Sequence, residues 1–301
     1  MFTKEPEALA SFRDELIFEY AQEGSDELTF EIELEGSGSS QEIKKLYGVS
    51  SASINVAPYV ANKFMTTPSS GESALTTPDC GYAQVTLKCG NDSSSTQYFV
   101  ASKVELPEEG MISSLPASRF IGYGEADEIW IHAPEGSQVE ATVECTDEGG
   151  VTSSTFSHTA QECGFVRFRF NTSDFSPYTK MAKVTITCGG EAIAEVSYLF
   201  ITRVKGAVRL AWIGSYGAVE HYTFPATNSL SLLKSGALQY EIESAYEPYG
   251  VVNALAEILS SEKLWLVEGE EYTEVELLSD VVVLNKNGEL STVEYKIERY
   301  D

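Results

Sequence analysis

Apolar and polar residues alternate along much of this chain. Leu28, Phe30, Ile32 and Leu34 alternate with Thr29, Glu31, Glu33 and Glu35. Val139, Ala141, Val143 and Cys145 alternate with Glu140, Thr142 and Glu144, and Val166, Phe168 and Phe170 with Arg167 and Arg169. Period two with one apolar face predicts half-buried antiparallel strands. Gly/Ser/Asp clusters at 36–40, 91–94 and 147–150 separate the runs and predict turns. Beyond residue 205 the pattern changes. Strands are predicted over 207–213 and 219–225 around the turn Gly214-Ser215-Tyr216-Gly217, and again over 237–242, 263–267, 274–284 and 292–299. Val251, Leu255, Ile258 and Leu259 share a helical face that follows Pro248. Asn287-Gly288 is a strong two-residue hairpin signal.

The strand pattern also repeats. Ala83-Gln84-Val85-Thr86-Leu87-Lys88-Cys89-Gly90 returns as Ala182-Lys183-Val184-Thr185-Ile186-Thr187-Cys188-Gly189. Each copy is followed by another β-rich run, ending at Val104 and Val204. Three further anchors keep the same order. Asp14-Glu15-Leu16-Ile17-Phe18 matches Asp127-Glu128-Ile129-Trp130-Ile131, Glu23-Gly24-Ser25 matches Glu135-Gly136-Ser137, and the run from Gly48 to Ile54 matches that from Gly164 to Phe170. Ordered anchors of this kind indicate duplication. The spacing between copies shortens late, which locates an insertion in the first copy at 65–78. Its Thr66-Thr67-Pro68-Ser69-Ser70-Gly71 has the composition of an exposed loop. Short strands with regular turn signals describe immunoglobulin-like sandwiches, and one helix among antiparallel strands describes an α+β module. The expected fold is therefore mainly β: two tandem immunoglobulin-like β-sandwich modules (1–104 and 119–204), a linker at 105–118 carrying Pro107 and Pro116, and a C-terminal α+β domain at 205–301.

Composition narrows the function classes. The 301 residues are 43% hydrophobic, which fits a globular chain, and their formal charge is -26, from 46 acidic and 20 basic residues. Such a surface repels phosphate backbones and anionic bilayers, so neither nucleic acid nor a membrane surface is an expected partner. No apolar run approaches the roughly 18 residues of a membrane helix, and no export signal is visible at the N-terminus, so no membrane insertion is expected. The five cysteines, Cys80, Cys89, Cys145, Cys163 and Cys188, form no C-x-x-C pair or Cys/His cluster. Cys89 and Cys188 read as small buried hydrophobes. The spacing allows a Cys145–Cys163 bridge, but without an export signal free thiols are expected.

Candidate chemistry is thin. Glu31 and Glu33 lie about 7 Å apart on one strand face, in superficial likeness to a glycosidase pair, but neighbours on an alternating strand read as a solvated face. His132, His158 and His221 have no partner at metal-ligand or triad spacing. His221 reads as a packed or surface residue, with a switch or base role as the alternative. Trp130, Trp212 and Trp265 are core residues by their apolar neighbours, or sugar-stacking platforms if exposed. No nucleophile elbow, P-loop or dinucleotide fingerprint occurs. Catalytic, cofactor-binding and metal-ligating residues are therefore all expected to be none, and a hydrolase is the least favoured reading.

The segment Leu210-Ala211-Trp212-Ile213-Gly214-Ser215-Tyr216-Gly217-Ala218-Val219-Glu220-His221-Tyr222-Thr223-Phe224 resembles a hairpin in tail and baseplate-associated virion proteins of tailed phages and prophages. It departs from that pattern at Gly214, where those proteins usually carry Asn. The order that follows is also similar: a strand, a helix, Lys263-Leu264-Trp265-Leu266-Val267-Glu268 and closing hairpin strands. The resemblance implies a non-enzymatic structural or assembly subunit located in a virion tail, homo-oligomeric and partnered by other tail or baseplate subunits. The alternative is a surface-binding adhesion module that takes carbohydrate or a host protein on its sandwich loops.

Overall fold

The computed structural model describes residues 1–23, 27–34, 40–61, 66–201, 206–233 and 235–300. Gly24 and Ser25 of one repeat anchor, the turn at 36–39, Met65 and Lys205 lie outside the described residues. The chain is mainly β, arranged in several sheets. It divides into two compact units: residues 1–67 with 79–105, and residues 68–78 with 106–301.

The first unit holds two sheets. One orders Phe2–Lys4, Ile17–Ala21 and Ser51–Asn55. The other orders Ser40–Tyr47, Glu27–Leu34 and Tyr82–Cys89, and Tyr82–Cys89 also pairs with Asp92–Ser93 and Gln97–Val100. Alternation works here as expected: Leu28, Phe30 and Ile32 are buried, as are Val85, Leu87 and Cys89 on the neighbouring strand. With Phe18, Ile54 and Phe99 they form one core. Each such side chain contributes about 1.5–3 kcal/mol of transfer free energy.

In the second unit, Ala126–His132 and Phe165–Asn171 pair within a four-stranded sheet flanked by Gly110–Met111 and Ala74–Thr76. A five-stranded sheet orders Ser118–Gly122, Glu191–Ile201, Met181–Cys188, Gln138–Asp147 and Gly150–Thr159. Ser118–Gly122 runs parallel to Glu191–Ile201, and the other pairs are antiparallel. The two sheets share a core that includes Ile129, Val143, Phe168, Ile186 and Tyr198.

Strand order repeats between the units. Ser40–Tyr47, Glu27–Leu34, Tyr82–Cys89 and Gln97–Val100 succeed one another as Gly150–Thr159, Gln138–Asp147, Met181–Cys188 and Glu191–Ile201 do. Cys89 sits opposite Phe30 and Cys188 opposite Val139, each at the same end of its ladder. One anchor shifts. Phe18 pairs with Ile54, but Ile131, its counterpart by sequence spacing, pairs with Val166 and not Phe170.

The remainder of the second unit has two more sheets. Val219–Phe224, Val208–Ile213, Leu264–Glu268 and Glu271–Glu274 form one. Ala226–Leu232, Leu238–Glu243, Leu290–Arg299 and Glu247–Pro248 form the other, with Glu276–Leu277 and Val283–Asn287 also on Leu290–Arg299. The helix Tyr249–Ala256 starts after Pro248 and continues as a 3-10 turn over Glu257–Ser260. It buries Val251, Leu255 and Ile258 against Trp212, Phe224 and Tyr295, and the Tyr295 hydroxyl donates to the Leu255 carbonyl at 2.8 Å.

Three expectations change. The insertion expected as an exposed loop supplies the strand Ala74–Thr76, with Ser73 and Leu75 buried, because it completes the edge beside Phe165–Asn171. The stretch 105–118, expected as a linker, is packed: Gly110–Met111 joins a sheet, and Ile112 and Leu115 are buried, Leu115 in the core around Trp212. The single strand expected over 274–284 is broken after Glu274 and Leu277. Ala226–Leu232 carries no regular apolar period and was not legible as a strand.

Candidate functional site: a buried charge cluster and an exposed apolar row

The strand Ala126–His132 is buried almost throughout, on both faces. Asp127 and Glu128 therefore stand where a half-exposed strand would carry solvated residues. Asp127 Oδ2 accepts from Arg119 Nη1 at 3.0 Å and from the Tyr198 hydroxyl at 2.8 Å. Its Oδ1 lies 3.2 Å from His221 Nδ1 and 3.8 Å from Arg209 Nη2. Arg209 donates to Thr223 Oγ1 at 2.9 Å and to the Ala126 carbonyl at 2.8 Å, and lies 3.6 Å from Glu125. Glu125 accepts from the Gly122 amide at 2.8 Å. Glu220 accepts from Ser113 Oγ and the Ser114 amide, both at 2.8 Å. Glu257 accepts from Ser114 Oγ at 3.0 Å and the Ser215 amide at 2.9 Å. The residues expected as a linker thus hold one carboxylate of a strand, Glu220, and one of the 3-10 turn, Glu257.

Burial and charge pull these groups apart in pKa. Burial alone would raise the Asp127 carboxyl, but Arg119, with His221 and Arg209, holds it well below the usual carboxylate range. Burial pushes Glu220 up to about 7, against the opposing pull of Arg119 and the Ser113 and Ser114 hydrogen bonds. Burial pushes His221 down, despite Asp127 beside it. Gly214 packs closely on this group: a Cβ at this position would meet Glu220 Cγ at 2.9 Å.

The order Tyr272–His221–Asp127, with Tyr272 Oη 3.1 Å from His221 Nε2, has the sequence of groups found in acid–base relays. Burial, with Glu128 nearby, raises the Tyr272 phenol. These groups are paired with one another in the interior. The cluster links Ala126–His132 to Val208–Ile213 and Val219–Phe224, strands of two different sheets, and breaking any one buried pair would strand its partner.

The outer face of the five-stranded sheet carries a different feature. Register places Phe120 beside Leu199, Leu199 beside Met181, Met181 beside Thr146 and Thr146 beside Val151. Phe120, Leu199, Met181 and Val151 are 46%, 48%, 46% and 63% exposed, so one row across all five strands is largely apolar and open to solvent. The next row, Ser118, Ser197, Lys183, Glu144 and Ser153, is polar.

The residues singled out from sequence fall elsewhere. Glu31 and Glu33 are half-buried on the outer face of Glu27–Leu34, with Glu33 paired to Lys88 at 2.5 Å. His132 Nδ1 lies 2.9 Å from the Pro107 carbonyl, and His158 Nε2 2.8 Å from Thr77 Oγ1. His221 is buried and belongs to the charge cluster. Trp130, Trp212 and Trp265 are all buried, which removes the sugar-platform alternative for them, and Trp130 Nε1 donates to Glu128 at 2.8 Å. All five cysteines are buried and outside any disulfide, so the Cys145–Cys163 bridge does not form. Arg169, expected on a solvated face, is 3% exposed. Sequence reading missed Arg119, Glu125, Asp127 and Arg209 as a group. Their one signal was a charge set inside an otherwise apolar strand, at Asp127 and Arg209. Among the described residues no helix is long and apolar enough to cross a membrane.

No protein-family model matches the chain, and no curated protein is similar to it. Among solved structures it is similar to the chicken interferon gamma receptor alpha chain, with 11% identity, 66% of this chain and 98% of that chain covered, and a TM-score of 0.19. A DUF4784 family protein from Bacteroides caccae is similar at 14% identity over 63% of this chain and 52% of that one, with a TM-score of 0.20. A tetra-tandem repeat from the extending region of a large adhesion protein is similar at 12% identity over 81% and 68%, with a TM-score of 0.23. At TM-scores this low the fold rests on the chain's own sheets.

Proposed function

We propose that this chain is a non-enzymatic structural or assembly subunit. It is built as two immunoglobulin-like sandwich modules (1–104 and 119–204) and a C-terminal α+β module (205–301), and its task is to hold protein contacts. The observation that carries this reading is the apolar row Phe120, Leu199, Met181 and Val151, set on the outer face of a five-stranded sheet. Exposed apolar side chains aligned across neighbouring strands form a contiguous patch, and such patches mark protein contact surfaces. The buried charge cluster supports the same reading, because it ties the sheets of the second unit together behind that face. The occupant we favour is a second copy of the chain. The hairpin resemblance of 210–224 extends the proposal to a place in a phage or prophage tail beside other tail or baseplate subunits.

Sedimentation of the intact chain tests the reading. Oligomers are expected for the native sequence, and monomers for Leu199→Glu and Met181→Glu at the same concentration. Tail-tube, tape-measure or baseplate genes beside this one would support the tail assignment, and an unrelated neighbourhood would count against it. A monomeric native chain that captures a defined glycan or host protein through the same row would favour the adhesion module instead.

A further inference from the structure

Residues 68–78 interrupt the sequence of the first unit but belong to the second. Ala74, Leu75 and Thr76 pair antiparallel with Arg169, Phe168 and Arg167, and Leu75 enters the sandwich core. Three ladder pairs are a short strand, yet the segment is held by much more. The Ser69 amide and hydroxyl both donate to Glu128 Oε1, at 2.5 and 2.7 Å. Arg169 donates from Nη1 to the Ser69 carbonyl at 2.5 Å and from Nε to the Gly71 carbonyl at 2.8 Å. Asn171 Nδ2 donates to that Gly71 carbonyl at 3.0 Å and to Glu270 at 2.6 Å. The Ser73 amide donates to Asp174 at 2.5 Å, and Ser73 Oγ accepts from the Asn171 amide at 2.9 Å. Glu128, Arg169 and Asn171 are almost fully buried.

The receiving surface reads the strap in detail. Carboxylates take its amides, a guanidinium takes its carbonyls, a hydroxyl is required at 69 and 73, and an aliphatic side chain at 75. Charge-assisted hydrogen bonds to backbone, combined with a side-chain pocket, are how proteins recognise an added strand. They also make an empty site costly, since Glu128 Oε1 and the Arg169 guanidinium would lose these hydrogen bonds.

We propose that this edge of the second unit is a strand-binding site, specific for an extended Ser/Thr-Gly peptide, and that residues 68–78 are its ligand, donated in cis. Strand 74–76 is then a bound peptide that happens to be covalently attached.

The test uses the full chain with 69–77 replaced by a Gly-Ser segment of equal length, and a fluorescent peptide with the sequence of residues 68–78 as probe. Saturable binding to the replaced chain is expected, with none to the native chain, whose site is filled. Leu75→Asp in the peptide, or Asp174→Asn in the chain, should weaken binding at least tenfold. A folded replaced chain that ignores the peptide overturns the proposal, as does equal binding to the native chain. Should the replaced chain fail to fold, protease sites placed after Thr67 and before Asp79 in the otherwise native chain give the same answer. After both cuts the freed strap should co-elute with the folded chain on gel filtration, and its departure would overturn the assignment.

Discussion

At Asp127 one carboxylate is met by Arg119, Arg209, His221 and the Tyr198 hydroxyl, all buried. Such a group adds little net stability over an apolar replacement, but removing one member leaves the others uncompensated. Asp127→Ala should therefore cost about 3–5 kcal/mol, read from urea unfolding of the full chain. A loss below about 1 kcal/mol would mean that solvent reaches the cluster. Glu33 is the contrast: its pair with Lys88 is partly exposed, so Glu33→Gln should shift stability by no more than about 0.5 kcal/mol. Glu220 adds a pH signature. Its carboxyl rises from the ordinary 4.5 to about 7 on folding, so the folded chain holds that proton more tightly than the unfolded one. Its stabilising contribution is complete below 4.5 and is lost as pH rises through about 7. His221 runs the other way: its folded value is lowered, so acidification through the unfolded histidine range favours the unfolded chain. In the native chain the two slopes offset each other. Glu220→Gln should remove the falling one, so that the variant gains on the native chain by up to roughly 3 kcal/mol between pH 4.5 and 8. Urea midpoints that stay a constant distance apart across that range would rule this out.

Among the elements, the hairpin of Val208–Ile213 and Val219–Phe224 is the most informative. Leu210 faces Tyr222 and Val208 faces Phe224, so the cross-strand pairs expected from alternation are present. Trp212 is fully buried against the helix Tyr249–Ala256. Trp212→Ala should cost about 3–5 kcal/mol, because lost transfer energy and a cavity add. Arg209 on the same strand is bonded to Ala126 and faces Glu125 and Asp127, so the damage should reach the neighbouring sandwich. Calorimetry should show the transition of 106–301 falling as one while that of the first unit stays. A sandwich transition that does not move would mean the charge cluster transmits nothing. The elements legible in sequence were those with one covered face: Leu28, Phe30 and Ile32, the run 139–145, and the helix face of Val251 and Leu255; the hairpin signalled by Asn287-Gly288 is also present, with its turn one residue later, at Gly288-Glu289. Ala226–Leu232 was not legible, because it is an edge strand whose Leu230 and Leu232 stay exposed, and Ala74–Thr76 was not, because the burial of Leu75 comes from a partner remote in sequence. The charge cluster was hidden for the same reason: Arg119, Asp127, Arg209 and Glu220 are far apart along the chain and form no motif. Asp127-Glu128 could be seen only as a repeat anchor. The repeat itself was legible in Cys89 and Cys188, since a duplicated ladder keeps its inward positions.

For the whole molecule, net charge and the apolar row make opposing demands. A chain of formal charge -26 repels its own copies, and that repulsion acts over about 10 Å at 0.1 M salt. The row formed by Phe120, Leu199, Met181 and Val151 attracts at contact, and salt does not screen apolar burial. The acidic side chains beside it are partly neutralised: Lys183 lies 2.8 Å from Glu195, and Lys180 2.9 Å from Glu148. Self-association through this face should therefore strengthen as salt rises, whereas contacts built on ion pairs would weaken. Raising NaCl from about 0.05 to about 0.5 M, which shortens the screening length from roughly 14 to roughly 4 Å, should raise the association constant at least tenfold in sedimentation velocity. Leu199→Glu places a charge in the middle of the row and should leave the chain monomeric at every salt concentration. If association weakens with salt, an ion-paired surface elsewhere is responsible. If the native chain is monomeric throughout, the row belongs to a different protein, and a basic partner becomes the one to seek, since opposite charge would then draw the two together where like charge keeps copies apart.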